Sequence, residues 1–217
     1  MPLIQSNIAA PTGTLAGTQN VLGGRAGEIV SSALHTQFYE ASLAGKVFQA
    51  TTLVAGVTLP VQGPSFTGVF TIWNPLGSSV NVELIRISHA FTTVTEVVGP
   101  IALYIQTGVG GANAVPTSLT ALSTRPALWG GTGINPIASS VATVYSAATF
   151  TNTVGTNMFQ GPILFGPAAA LSTANLPCTY DFNGNTLLGP GVLATVACFA
   201  AQTQTSSLSC IWAEWPV

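Results

Sequence analysis

The chain has 217 residues, of which four are Lys or Arg and six are Asp or Glu. Charged residues make up 5% of the sequence, against about 25% in an average globular domain. With a net charge of −2 and no cluster of Lys or Arg, the chain is not expected to bind nucleic acid. The shortage of acids and bases also argues against an enzyme, because general acid–base catalysis depends on those side chains.

Residues 1–24 contain Gly, Pro, Thr and Asn throughout and show no hydrophobic periodicity. Such a segment cannot bury enough apolar surface to fold alone, so we expect an arm that becomes ordered only against a partner. Between Arg25 and Gly45 the apolar residues recur at near-helical spacing, and Gly45 is placed to end a helix. The alternative is an irregular arm that inserts Phe38 and Tyr39 into a neighbouring subunit.

Strand signals fill the rest of the chain, where short runs of Val, Ile, Thr and Phe are separated by Gly and Pro. In the run that starts at Val80, Val82 and Leu84 fall on one face of a strand. Ile85 and Ile87 fall on the opposite face, which indicates either a β-bulge or a strand covered on both sides. The predicted strands are Val47–Ala55, Val57–Val61, Phe66–Trp73, Val80–His89, Ile101–Gln106, Val141–Phe150, Ile163–Phe165, Val192–Ala200 and Ser206–Trp215, with another short strand near Leu128.

Turn signals separate the later strands. The dipeptide Asn183-Gly184 predicts a tight hairpin turn, and Pro190-Gly191 predicts a turn into the next strand. About eight short strands with no helices between them predict an antiparallel β-sandwich of jelly-roll type. We therefore expect an extended N-terminal arm in residues 1–45, with or without a short helix, and a jelly-roll domain in residues 46–217.

The mean hydropathy is high, +0.53, yet no apolar stretch reaches the roughly 18 residues of a membrane-spanning helix. Residues 1–10 have no basic segment followed by an apolar one, so no signal peptide is expected. Cys178, Cys198 and Cys210 form no CxxC pair. Because Cys198 and Cys210 lie in apolar runs, we expect buried free thiols, with a disulfide between two of the three as the alternative.

No group of residues has catalytic or metal-binding spacing. His35 and His89 are far apart and neither has a second His at ligand spacing, although Glu40 lies five residues from His35. His89 is expected to be a hydrogen-bonded residue at the end of a strand. There is no nucleophile elbow and no Walker motif, so we predict no catalytic residue, no metal site and no cofactor.

The four tryptophans are expected to pack in the core or at an interface, and a sugar-binding platform is the alternative. Trp212 alternates with Leu208, which places it in the core. Trp215 is expected at a contact with a neighbouring subunit. The other two are Trp73 and Trp129.

Three parts of the chain resemble stretches that recur in structural proteins of tailed bacteriophages. They are the arm segments Glu28-Ile29-Val30, Leu34-His35, Phe38-Tyr39-Glu40 and Gly45-Lys46-Val47-Phe48, the run Trp73-Asn74-Pro75-Leu76-Gly77-Ser78 with Val80–Arg86, and Pro190-Gly191 with Ser207–Trp215. In size and predicted fold the chain is similar to the cement, or decoration, proteins that sit as trimers on icosahedral phage heads.

This resemblance implies a non-enzymatic virion protein that is synthesised in the host cytoplasm and located on the capsid surface. It implies a homotrimer that contacts the major capsid protein, with neither nucleic acid nor membrane as a partner, and it supplies no catalytic residue. We expect six residues of the arm to contact a partner: Arg25, Leu34, His35, Phe38, Tyr39 and Glu40.

Two other functions stay open as alternatives. A tail or receptor-binding virion protein would use the tryptophans and residues 107–157 to hold a host surface glycan. A small icosahedral capsid protein would package a genome and generally has a basic arm. Residues 1–24 contain no Lys or Arg, which disfavours that second alternative.

Overall fold

A computed structural model describes residues 5–7, 18–20, 38–52, 55–61, 65–92, 100–107, 117–127, 139–151, 158–165, 178–201 and 205–217. Within these ranges the chain forms sixteen β-strands and one short helix. They are β1 (Gln5–Asn7), β2 (Thr18–Asn20), α1 (Tyr39–Leu43), β3 (Val47–Thr51), β4 (Val57–Thr58), β5 (Ser65–Gly68), β6 (Thr71–Trp73), β7 (Val80–Phe91), β8 (Ile101–Gln106), β9 (Thr117–Ala121), β10 (Thr124–Pro126), β11 (Thr143–Thr151), β12 (Met158–Phe165), β13 (Cys178–Asp181), β14 (Leu187–Leu188), β15 (Leu193–Cys198) and β16 (Thr205–Pro216).

Two large sheets contain all of these strands except β1 and β2, which pair with one another. The first sheet has the order β10-β3-β16-β7-β13, with β14 also paired to β7 and β4 to β16. The second sheet has the order β12-β8-β15-β6-β11-β5, with β9 also paired to β11. Every ladder between described strands is antiparallel. The prediction of an all-β antiparallel sandwich is confirmed.

The core lies between the two sheets because alternate side chains of each sheet point toward the other. The first sheet contributes Phe48, Leu84 and Trp212, and the second contributes Ile72 and Leu103. Each of these five side chains is at most 2% exposed. The prediction that Trp212 belongs to the core is confirmed.

A β-bulge in β7 keeps both halves of that strand on the core. The ladder with β16 passes from Arg86 directly to Leu84, which leaves Ile85 as an extra residue. Leu84 and Ile87 both face the core as a result, whereas Ile85 packs on the outer face. The predicted bulge is confirmed, but the expectation that Ile87 lies opposite Leu84 is wrong because the bulge shifts the alternation by one residue.

The outer face of the first sheet is covered by α1. Ala41 of the helix packs against Val47 and Ala213, which point outward from β3 and β16. The backbone leaves the helix at Gly45 with φ of 68°, a conformation in which Gly has no Cβ to clash, so the predicted helix end is confirmed. Residues 25–37 of the predicted helical segment lie outside the described residues.

The second sheet is buried on its outer face as well. Ala102 and Tyr104 of β8, together with Leu193 and Ala197 of β15, form an apolar cluster on that face, and each is at most 1% exposed. A strand buried on both faces reads as a continuous apolar run rather than an alternating one. This explains the sequence Ile101–Gln106, whose predicted bounds are confirmed.

Most predicted strands differ from the observed ones by a few residues at an end, and three differ by more than that. The strand predicted at Ile163–Phe165 is the end of β12, which begins at Met158 and runs along the edge of the second sheet with irregular register. The strand predicted at Phe66–Trp73 is divided into β5 and β6, which both pair with β11. The strand expected near Leu128 is represented by β10, and Leu128 itself lies outside the described residues.

The Asn183-Gly184 pair forms the predicted tight turn, with φ of 50° and 77° at the two residues. The turn joins β13 to β14, yet these strands do not pair with one another. Both pair with β7, at Asp181↔Arg86 and Leu187↔Glu83. The hairpin prediction is therefore wrong, because β7 is long enough to take the two strands one after the other.

Replacing Trp212 with Ala should lower the free energy of unfolding by about 3–5 kcal/mol, since a large buried aromatic leaves a cavity. The indole is 0% exposed and stacks on Phe48 with 6.2 Å between ring centroids. Urea denaturation measures the loss. Leu119→Ala is the control, because Leu119 is 42% exposed and its truncation should change stability by only about 0.5 kcal/mol. A similarly small change in Trp212→Ala would contradict the assignment of Trp212 to the core.

Candidate functional site

Three of the six arm residues expected to contact a partner are described. Phe38 is half-buried against the outer face of the first sheet of its own chain. Tyr39 begins α1 and is 39% exposed, and Glu40 follows it in the helix. The structure therefore brings Phe38 to a contact within the chain and leaves Tyr39 accessible. The other three, Arg25, Leu34 and His35, lie outside the described residues.

The arrangement closest to a catalytic pair is His89 with Ser206. The imidazole Nε2 of His89 lies 3.0 Å from the Ser206 hydroxyl, the separation expected of a nucleophile and its general base. Ser206 is 0% exposed and His89 is 2% exposed, so the pair is enclosed within the sandwich. The bond is structural, and the prediction that His89 is hydrogen-bonded is confirmed, although β7 continues past it to Phe91.

Burial sets the titration of His89. Loss of solvent around the ring lowers its pKa from 6.5 to about 4, because the charged imidazolium is disfavoured in a dry environment. The ring also meets Phe91 edge-on, with 4.5 Å between centroids. His89 is thus neutral in the folded protein at neutral pH.

Glu214 is a carboxylate 6% exposed near the end of β16. Its oxygens accept hydrogen bonds from the Ser140 hydroxyl at 2.6 Å, the Val141 amide at 2.9 Å and the Ala142 amide at 3.0 Å. The Trp212 indole donates a fourth, at 3.2 Å. These four donors satisfy the buried carboxylate and fasten the residues before β11 to β16, which is a structural role.

Other charged side chains are engaged on the outer face of the first sheet. The Trp215 indole donates to Glu83 Oε2 at 2.7 Å, and Lys46 Nζ lies 5.1 Å from the centroid of the Trp215 ring. Arg86 forms an ion pair with Asp181, and their hydrogen bond raises the pKa of Arg86. Trp215, which was expected to meet a neighbouring subunit, makes these contacts within its own chain.

The cysteines are free thiols, as predicted, and the alternative of a disulfide is wrong. Cys198 and Cys210 are buried and Cys178 is half-buried. Burial raises the pKa of Cys198 to about 11 and raises the pKa values of the other two. Because the thiolate is the nucleophile, thiols with raised pKa values are unreactive at neutral pH.

The described tryptophans form no common platform for a sugar. Trp73 packs on the outer face of the second sheet, with its ring centroid 6.4 Å from that of Tyr145. Trp212 lies between the sheets and Trp215 lies on the outer face of the first sheet. Trp129 lies outside the described residues.

One end of the sandwich exposes large apolar side chains. Leu76 is 74% exposed in the turn between β6 and β7, and Leu187 is 60% exposed in β14. Val217 is 78% exposed beside that turn, where its amide bonds to the carbonyl of Ser79. We call Leu76, Leu187 and Val217 the apolar end. It is a candidate contact surface, because exposed apolar groups gain most when another surface covers them.

Among the residues that the structure describes, no group of three or more His, Cys, Asp or Glu side chains could hold a metal ion. In the same part of the chain, no helix has the length and apolar character needed to cross a membrane. Comparisons with known proteins add no relationship, since no family model, no curated protein and no solved structure matches the chain.

The buried His89 should make stability depend on pH. At pH 7 the residue is mostly neutral in both states. As the pH falls from 6.5 toward about 4, the unfolded chain binds a proton that the folded chain does not, so folded-state stability is lost. Between pH 7 and pH 4.5 the loss should be about 2 kcal/mol.

Urea denaturation of the wild type and of His89→Gln at both pH values isolates this contribution, because every other titrating group is common to the two proteins. We expect the wild type to lose about 2 kcal/mol more than the variant on acidification. Equal losses would show that the buried imidazole does not control the acid sensitivity.

Proposed function

We propose that this chain is a non-enzymatic structural protein of a bacteriophage virion. In this proposal it is a cement or decoration protein that forms a homotrimer on the capsid surface and contacts the major capsid protein. The observation that carries the proposal is the scarcity of free charge. Among the described residues, Arg86 pairs with Asp181, Glu83 binds Trp215, and Glu214 is buried with four donors.

A surface of this kind suits permanent association. Taking an ion out of water is costly, and the cost is recovered only when a well-placed partner meets it. A surface of hydroxyls, amides and apolar groups needs few such partners, so it can be covered over a large area at small desolvation cost. The shortage of charged side chains therefore supports the proposed function as much as the exposed neutral and apolar groups do.

The absence of enzyme activity is part of the same proposal. His89 and Ser206 are enclosed in the sandwich, and burial raises the pKa values of all three thiols. These are the arrangements nearest to a reactive centre in the described part of the chain, and both are explained by packing.

The strand order supports a jelly roll as the specific form of the sandwich. In chain order, β3, β7, β13 and β16 belong to the first sheet, whereas β6, β8, β12 and β15 belong to the second. The first four stand side by side as β3-β16-β7-β13, and the second four as β12-β8-β15-β6. An eight-stranded pair of sheets with interleaved Greek-key connections is the arrangement of a jelly roll. In this reading, β9, β10 and β11 are an insertion that extends one edge of each sheet.

The purified protein should be a trimer, because its surface offers little charge repulsion and its apolar end can be covered by another copy. Light scattering coupled to gel filtration measures the mass at micromolar concentration. Replacing Leu76 and Leu187 together with Asp should favour the monomer. Leu119→Asp is the control, since Leu119 is 42% exposed but lies on β9 in the second sheet. A wild-type monomer that stays stable at this concentration would count heavily against assembly.

Deleting residues 1–24 should weaken attachment to the capsid without unfolding the sandwich. The described part of this segment supports the expectation, because β1 and β2 pair with one another and with neither large sheet. Circular dichroism with thermal melting reports the fold, and cosedimentation with heads that lack the protein reports attachment. Unchanged attachment with the fold intact would contradict the predicted role of the arm.

A further inference from the structure

A cavity of about 490 Å³ opens on the outer face of the first sheet, beside its β10 edge. Its wall is formed by outward-facing side chains of three neighbouring strands, by the residue that precedes β10, and by four buried residues: Ala50, Thr52, Leu122 and Cys210. The register places Arg125 of β10 and Ile211 of β16 on either side of Gln49 in β3. The lining side chains used below are Gln49, Thr51, Ser123, Arg125, Ser209 and Ile211.

Arg125 is the charged group of this cavity, and it is exposed. In the described ranges, Arg86 is paired with Asp181 and Lys46 lies over Trp215, whereas the guanidinium of Arg125 has no ion pair and no hydrogen bond. A planar guanidinium with free donors binds a carboxylate through two parallel hydrogen bonds. The chain has four basic residues, and the unpaired guanidinium of one of them lies at this cavity. We therefore expect a ligand that carries a negative charge.

The neutral polar groups of the cavity are free as well. Thr51 and Ser209 face one another across the ladder between β3 and β16, but their hydroxyls form no hydrogen bond within the described part of the chain. Elsewhere, facing hydroxyls do bond, as in Thr71 with Thr195 at 3.0 Å. The side-chain amide of Gln49 and the Ser123 hydroxyl likewise form no hydrogen bond with any described residue. Several donors and acceptors thus converge on one concave space.

This combination defines the chemistry of the ligand. One guanidinium matches a single carboxylate better than a phosphate dianion, which would call for a second cation. Hydroxyl and amide groups on neighbouring strands match a ligand that carries several hydroxyls, and the Ile211 side chain offers an apolar floor for a ring. The volume falls in the range of about 300–1,000 Å³ that is usual for small-molecule sites.

We propose that this cavity binds a sugar acid, that is, a pyranose ring bearing one carboxylate, with Arg125 on the carboxylate and the polar wall on the ring hydroxyls. The proposal is independent of the virion function, because a capsid-surface protein and a tail protein could equally contain such a site. The same chemistry occurs in a free hexuronate and in the terminal residue of an acidic polysaccharide.

Isothermal titration calorimetry of the full chain tests the proposal with three probes. Glucuronate is the free acid, methyl β-D-glucuronide stands for a terminal polysaccharide residue, and glucose is the uncharged control. For a ligand of this size we expect a dissociation constant on the order of 1 mM. Binding of both acids assigns the site to a terminal residue, and binding of glucuronate alone assigns it to the free acid. Absence of saturable binding by either acid, or equal binding of glucose, would overturn the proposal.

Single substitutions test whether the sugar acid binds in this cavity. Arg125→Gln should weaken glucuronate binding about 10- to 100-fold, and Arg125→Lys should fall between it and the wild type, since Lys keeps the charge but loses the two-pronged geometry. Arg86→Gln is the matched control, because Arg86 lies on the far side of Ile211 in the same cross-strand row and is already paired with Asp181. Its loss should weaken binding far less than Arg125→Gln does. Unaltered melting temperatures show that the variants are folded. Unchanged binding in Arg125→Gln, or an equal loss in Arg86→Gln, would place the ligand elsewhere.

A protein carboxylate is the competing occupant. If an acidic hexapeptide binds in an Arg125-dependent manner while both sugar acids fail, the cavity is a contact for a partner chain and the sugar-acid proposal is wrong.

Discussion

The antiparallel pairing of β16 with β7 is the interaction on which the rest of the structure depends. The ladder runs from Ser206 to Pro216 along nearly all of both strands. β16 also pairs with β3, and β7 also pairs with β13 and β14, so every other strand of the first sheet is held through these two. The bulge at Ile85 is part of this pairing. Without it, the second half of β7 would turn its core side chains to the outer face.

Hydrogen bonds between pairs of hydroxyl side chains link distant parts of this chain, where other β-sheets often use ion pairs. Thr67 of β5 bonds to Thr149 of β11 at 3.2 Å, and Thr92, which directly follows β7, bonds to Thr205 of β16 at 2.6 Å. Such pairs satisfy both partners locally and strip no ion of water. They allow the surface to remain almost neutral while the strands keep their register. Because few charges interact, folded-state stability should respond weakly to ionic strength.

The sequence predicts most strands because their buried side chains either recur at a spacing of two, as in β16, or form a continuous apolar run, as in β8 and β15. Trp212 in the core, the bulge in β7 and the helix end at Gly45 follow from such local patterns. The start of β12 was missed because Gly161-Pro162 interrupts its pattern, and an edge strand with a register shift tolerates that interruption. Ile87 was assigned to the wrong face because alternation alone does not show on which residue a bulge falls.

The candidate sites were harder to predict than the strands, for a physical reason. Arg125 and Ser209 line one cavity only because β10, β3 and β16 lie side by side, and nothing local in the sequence encodes that neighbourhood. The contact between His89 and Ser206 likewise depends on the register of two long strands. The proposed virion function rests on composition and on a resemblance, neither of which specifies the residues at a contact.

The position of β16 between β3 and β7 has a consequence for how the chain folds. The Leu208 amide donates to the Thr52 hydroxyl at 3.0 Å across 156 positions of sequence, so the first sheet closes only after a very long loop has been gathered. Topologies dominated by such distant contacts fold slowly. Before β16 pairs with them, β3 and β7 expose unpaired backbone groups to other copies of the chain. Few charges are present to repel those copies. Soluble yield should therefore depend on whether β16 inserts before the edges of β3 and β7 pair with other nascent chains. Dilution and slower synthesis reduce that intermolecular pairing and should raise the yield.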